Sequence, residues 1–175
     1  RLAVLARLAA PGALGVSRDE LHATFWPERD VVAARHSLDQ LLYETRRALG
    51  ASPTAGTGTL RLDPGVITSD VADWTAALQR GDLAAAAALC RGPFLHGFHL
   101  RGSPEFEQWV ERVRAQLAGE HRRVLEALAT HAASDGRPGD AVVWWRRLAA
   151  ADPFGSRAAL GLMRALSDAG DRAGA

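Results

Sequence analysis

The strongest constraint in the chain is the stretch from Pro27 to Gly50, whose polar and apolar residues separate cleanly only on a helix. Set at about 100° per residue, Ala34, Leu38, Leu41, Leu42, Thr45 and Leu49 fall along one side. His36, Gln40, Tyr43 and Arg47 fall almost opposite, with Arg35 and Arg46 on one shoulder. The pattern predicts an amphipathic helix over 30–49 whose apolar stripe lies on a core. Asp30 stands where its carboxylate can accept from the free N–H groups of the first turn, and Gly50 where a left-handed residue ends the last. The outer face lacks the usual alternation of Glu and Lys. It carries guanidinium, imidazole, amide and phenol groups, which bond phosphates and base edges. An ordinary solvated surface accounts for this one stretch equally well.

Such a helix needs a core, and the composition can supply it. Hydrophobic residues make up 47% of the 175, enough for one domain or two small ones and too many for a disordered chain. No apolar run approaches the roughly 20 residues that span a bilayer, and no signal peptide is visible. The single Cys90 allows no internal disulfide, which fits a reducing compartment. The expectation is a cytoplasmic chain with no membrane partner. All 21 basic residues are Arg, and the formal net charge is +1. Residues 1–70 hold eight Arg against eight acids. Any contact with DNA must therefore rest on local arrangement rather than on bulk charge. The chain opens on Arg1 and stops inside a helical pattern, as expected of a piece of a longer protein.

Leu2, Leu5, Ala6, Leu8 and Ala9 predict a short first helix, stopped by Pro11 and Gly12. Ser17-Arg18-Asp19-Glu20 reads as a capping box opening a second helix, with Leu21, Phe25 and Trp26 inward and Pro27 ending it. The 30–49 helix is the third. Ala51 to Gly58 reads as a small-residue loop. Thr59–Leu62 alternates with period two, Asp63-Pro64-Gly65 is a strong turn, and Val66-Ile67-Thr68 is expected to be the partner strand. Three helices and a short β-hairpin form the order of a winged helix-turn-helix.

Val-Ser-Arg-Asp-Glu-Leu (16–21), Phe-Trp-Pro-Glu-Arg-Asp (25–30), Ala-Arg-His-Ser-Leu (34–38) and Arg-Arg-Ala-Leu-Gly (46–50) resemble the OmpR/PhoB-type winged helix. The nearest version is that of bacterial antibiotic-regulatory-type transcriptional activators. The resemblance implies that the 30–49 helix enters the DNA major groove, while the 59–68 hairpin touches the backbone or minor groove. It implies Arg35, His36, Gln40, Tyr43, Arg46 and Arg47 as contacts, with Arg61 on the wing. The chemistry is suited, since Arg grips guanine and Gln grips adenine bidentately. Asp39 and Glu44 depart from the pattern, as does a wing whose approach, 51–58, holds only small residues. The small sheet that precedes the first helix in that fold is missing.

Beyond residue 70 everything reads as helix. Asp70 caps a helix with Trp74, Ala77 and Leu78; Leu83 to Cys90 follows; and 91–98 is a Gly/Pro linker whose aromatics fill a gap between helices. Ser103, ahead of Pro104, opens the longest helix, with Phe106, Val110, Val113, Leu117, Val124 and Leu128 at helical spacing. A shift of 34 residues places Leu128 on Leu162, Ala132 on Leu166, Gly136 on Gly170 and Ala141 on Ala175. That is the tetratricopeptide period, a helix–turn–helix unit that stacks. Trp145 fills the repeat core, which leaves Trp144 to face elsewhere as a candidate partner contact. Residues 70–175, including Arg-Gly-Pro-Phe-Leu and Ser-Pro-Glu-Phe-Glu-Gln-Trp, resemble the bacterial transcriptional activator domain, the helical module that follows the winged helix in the same activators.

Catalytic readings fare poorly. Cys90, His96 and His99 match no zinc spacing and lack a fourth ligand nearby. Glu105 and Glu107 belong to a helix start, and Glu111 spaces well for Arg114 or Arg112. Gly56-Thr-Gly58-Thr leads into a strand, so it is no phosphate loop. The sequence thus reads as mainly α: a winged helix-turn-helix over 1–69, then a tetratricopeptide-like helical domain over 70–175. The expected function is that of a transcriptional regulator, not an enzyme, with no cofactor and no metal. Its expected partner is double-stranded DNA; RNA polymerase, a second copy of the chain, or intramolecular domain contacts are candidates for the helical half. The alternative is a protein-interaction module whose winged helix no longer binds DNA.

Overall fold

The computed structural model describes residues 1–175 as eight α-helices and three short strands. They form two compact units, one of Arg1–Ala76 with Gly92–Arg114, the other of Ala77–Arg91 with Ala115–Ala175.

The first unit runs α1 (Leu2–Ala9), a 3-10 turn (Gly12–Leu14), β1 (Val16–Ser17), α2 (Arg18–Phe25), α3 (Val31–Leu49), β2 (Thr54–Ala55) and β3 (Thr59–Leu62). Local chemistry sets each helix boundary. The Ser17 hydroxyl accepts from the Glu20 N–H at 3.2 Å, and the Glu20 carboxylate accepts from the Ser17 N–H at 3.1 Å, completing the capping box. That backbone N–H, then the hydroxyl, with Arg7 adding, holds the Glu20 carboxyl below its usual range. Asp30 accepts from the Ala33 N–H at 2.9 Å, and Gly50 takes φ 73° to end α3.

Inside α3, Ala34, Leu38 and Thr45 are buried. Leu38 joins Val4, Leu8, Val16, Leu21 and Leu60 in one cluster, with Leu41 and Leu42 packed against it. Each such side chain contributes about 1.5–3 kcal/mol by leaving water. Leu49 does not follow the stripe. It is 48% exposed, because the last turn of α3 runs past the cluster.

The sheet corrects the sequence reading in one respect. Its order is β1-β3-β2, all antiparallel, with Val16 opposite Leu60 and Thr54 opposite Leu62. The partner of β3 is therefore β2, within the stretch expected to be loop, and Val66-Ile67-Thr68 forms no strand. Asp63 is the cause. Its carbonyl accepts from both Val66 and Ile67 N–H, at 3.0 and 2.9 Å, and its side chain from the Gly65 N–H at 2.9 Å, curling the chain out of the hairpin path. The β2–β3 turn needs Gly56, at φ 95°, where a Cβ would stand 2.1 Å from the Thr59 carbonyl oxygen.

Next in the chain come α4 (Asp70–Gln79), α5 (Leu83–Leu89) and α6 (Pro104–Ser134). Residues 92–114 complete the first unit with an aromatic layer. Phe106, Trp109 and Val110 are buried with Ala3, and Phe25, Phe94 and Phe98 pack around them. Ring centroids lie 5.4 Å apart for Phe106–Trp109, 5.5 Å for Phe25–Phe106 and 6.1 Å for Phe98–Phe106. The linker before α6 is fixed by side chains of that helix. Arg114 donates to the Phe94 and Leu95 carbonyls, both at 2.7 Å, and Glu107 accepts from the Leu100 N–H at 2.6 Å. These bonds hold Leu95 at φ 50°, a conformation few non-glycine residues adopt.

The second unit contains the repeat: the C-terminal part of α6, then α7 (Pro138–Ala151) and α8 (Ser156–Asp168). The two helix ends are closed by the same bonds, 34 positions apart. Arg137 N–H reaches Ala132 O at 2.9 Å as Asp171 reaches Leu166, and Gly136 reaches Ala133 at 3.1 Å as Gly170 reaches Ser167 at 3.0 Å. Ala132, Ala141, Val142, Ala165 and Leu166 form the core of this unit. Gly161 gives α8 its close approach, since a Cβ there would lie 2.6 Å from the Trp145 ring.

His121 is half-buried in this unit. Burial first, and then the Arg147 charge, push its imidazole below its ordinary 6.5. The folded state thus takes up a proton less readily than the unfolded chain. Stability is full above about pH 6.5 and declines as the pH falls below it. Denaturant midpoints measured from pH 8 to pH 5 are expected to fall, and His121→Gln to flatten that fall.

Candidate nucleic-acid interface

α3 is anchored on one side by Leu38 and its neighbours, so the side chains on its opposite side have no core to enter. Arg35, His36, Gln40, Tyr43, Arg46 and Arg47 are all exposed, and so is Arg61 on β3. On β3 the alternation is clear, since Leu60 is buried and its neighbours Thr59 and Arg61 face solvent. Four of the seven are permanent cations, with one amide, one phenol and one imidazole among them.

The two acids that depart from the winged-helix pattern are neutralised within the chain. Arg18 Nη1 meets Asp39 Oδ1 at 2.7 Å, and Arg1 Nη2 meets Glu44 Oε2 at 2.6 Å. The Arg1 bond, and a second from the Gln40 amide at 3.3 Å, hold the Glu44 carboxyl below its usual range. Neither carboxylate stands as a lone negative charge.

Arg18 has a role that the sequence reading missed. Its Nε donates to the Thr57 carbonyl at 2.7 Å, and its backbone N–H to Gly58 O at 3.0 Å. One guanidinium thus ties the β2–β3 turn to Asp39 in the middle of α3. The partners lie 21 and 39 positions away, so no local spacing advertises them. Arg29 reaches Ser37 in the same way, at 2.9 Å, bracing the start of α3. The result is an exposed ridge of donors on a helix tethered to the hairpin turn.

In the second unit, Trp144 and Trp145 are both partly buried against the helical core. The Arg147 guanidinium lies over the Trp144 ring, 5.0 Å from its centroid, and also donates to the Ala87 carbonyl at 3.1 Å. Trp144 keeps part of its surface in solvent.

No three His, Cys, Asp or Glu side chains stand together in a way that would hold a metal ion. No helix is long and apolar enough to cross a membrane. No curated protein matches the chain. The model of the bacterial transcriptional activator domain, a regulatory module without catalytic motifs, matches residues 66–175. The match takes in both repeat helices, the whole of α6 and the linker before it, well over half the chain. The chain belongs to the bacterial transcriptional activator domain family.

Proposed function

We propose that the chain is a cytoplasmic DNA-binding transcriptional regulator, its first unit acting as a winged helix-turn-helix on double-stranded DNA. α3 is the recognition helix and lies in the major groove, and the β2–β3 hairpin meets the backbone or minor groove. One observation carries this reading. The exposed side of α3 shows Arg35, His36, Gln40, Tyr43, Arg46 and Arg47 together, while Asp39 and Glu44 are each bonded to an arginine. A helix fits the groove of about 12 Å, and those groups suit phosphates, guanine and adenine. Membership in an activator-domain family supports the regulatory half of the reading. The helical half, with Trp144 on its surface, serves RNA polymerase recruitment, self-association or contact with the DNA-binding half.

The alternative, that both halves bind only protein, draws on the two-residue β2 and on the acids within α3. A titration against mixed-sequence duplex DNA at about 50 and 200 mM salt separates the two, because phosphate contacts weaken steeply over that range. Binding with a strong salt slope is expected, and Arg46→Ala and Arg47→Ala should each flatten it by about one unit if the side chain removed meets a phosphate. Salt-independent binding, or none, removes the proposal.

A further inference from the structure

We infer that Val32 reads a thymine methyl group in the major groove, a contact that rests on the DNA-binding reading of α3. Val31 and Val32 are 59% and 78% exposed in the first turn of that helix. Neither packs on the cluster that Leu38, Leu41 and Leu42 join. β-Branched residues are indifferent helix formers, so these valines gain α3 little where they stand. Counting back from Arg47 and Arg46 by threes and fours gives Tyr43, Gln40, Asp39, His36, Arg35 and then Val32. Val32 is therefore the leading member of the polar ridge, on the face assigned to DNA.

Major-groove base edges offer donors, acceptors and one apolar group, the C5-methyl of thymine. A valine pressed against any other base strips water from polar atoms and returns no hydrogen bond. The base that suits Val32 is thymine. Val32 and Gln40 are eight residues apart. At about 1.5 Å per residue that is roughly 12 Å along the helix, or between three and four base steps of about 3.4 Å. A site bound by this chain should thus hold a methyl-dependent thymine at that separation from the adenine that Gln40 suits.

The test starts from duplexes enriched from a random pool by the full chain. Each thymine is then replaced singly by deoxyuridine, which removes only its methyl. The wild-type chain is expected to lose about fourfold in affinity at one thymine, the ratio that one buried methyl is worth. Val32→Ser, whose side chain carries no methyl, should bind the two duplexes alike, while Val31→Ala, on the Leu38 side of the helix, should keep the penalty. Both positions are largely exposed in the first turn of α3, where Ser and Ala cost little, so thermal unfolding should show the fold intact. A penalty that persists in Val32→Ser overturns the valine contact and spares the DNA reading. So does the absence of a penalty at every thymine while salt-dependent binding stands. Failure to enrich any duplex, without salt-dependent binding, overturns both.

Discussion

Phe106→Ala is expected to lower the stability of the unit formed by Arg1–Ala76 and Gly92–Arg114 by about 3–5 kcal/mol. Phe106 has no exposed surface and sits among Phe25, Phe98 and Trp109. Truncation removes its transfer from water, leaves a cavity between rings that cannot collapse together, and breaks three aromatic contacts. Domains hold only about 5–15 kcal/mol in total, so the loss is a large share. Guanidinium unfolding followed by tryptophan fluorescence measures it, with Trp26, Trp74 and Trp109 reporting from this unit. The same packing has a consequence for dissection. Phe106 and Trp109 lie within the family match, yet Ala3, Ala10 and Phe25 of their cluster precede it. A fragment starting at residue 66 uncovers those rings and is expected to aggregate, or to bind a hydrophobic dye, more than the 175-residue chain does.

Replacing Arg35, Arg46, Arg47 and Arg61 together by Ala should nearly abolish the electrostatic part of DNA binding while leaving the fold intact. All four are exposed, and none has an ion-pair or hydrogen-bond partner that the core depends on. If each meets one phosphate, the salt slope falls by about 3.6, close to 0.9 per contact. Across a fourfold change in salt, four such contacts amount to about 150-fold in affinity. Binding curves at about 50 and 200 mM salt should therefore diverge for the wild-type chain and nearly coincide for the variant.

Much of this was legible in the chain itself, where local chemistry decides. Ser17 with Glu20, Asp30, Gly50 and the 34-residue spacing of Gly136 and Gly170 each act within a few residues of backbone, and each appears as expected. The hairpin was misread because Asp63-Pro64-Gly65 suits both a hairpin turn and the curled turn it makes. Only Val16 taking the other edge of β3 distinguishes them. The stripe along α6 is continuous from Phe106 to Leu128, so periodicity alone says nothing of a division between two units near Arg114. Arg18 was opaque for a different reason. Its bonds to Thr57 and Asp39 depend on the fold having already brought three segments together.

Methylation of guanine N7 tests the central claim most directly, since that atom lies in the major groove. On a duplex enriched by the full chain, guanines facing α3 should be shielded from dimethyl sulfate, and the Arg46→Ala/Arg47→Ala variant should lift the shielding from some of them. Binding that leaves every guanine N7 open to methylation would show that DNA meets some other face of the molecule.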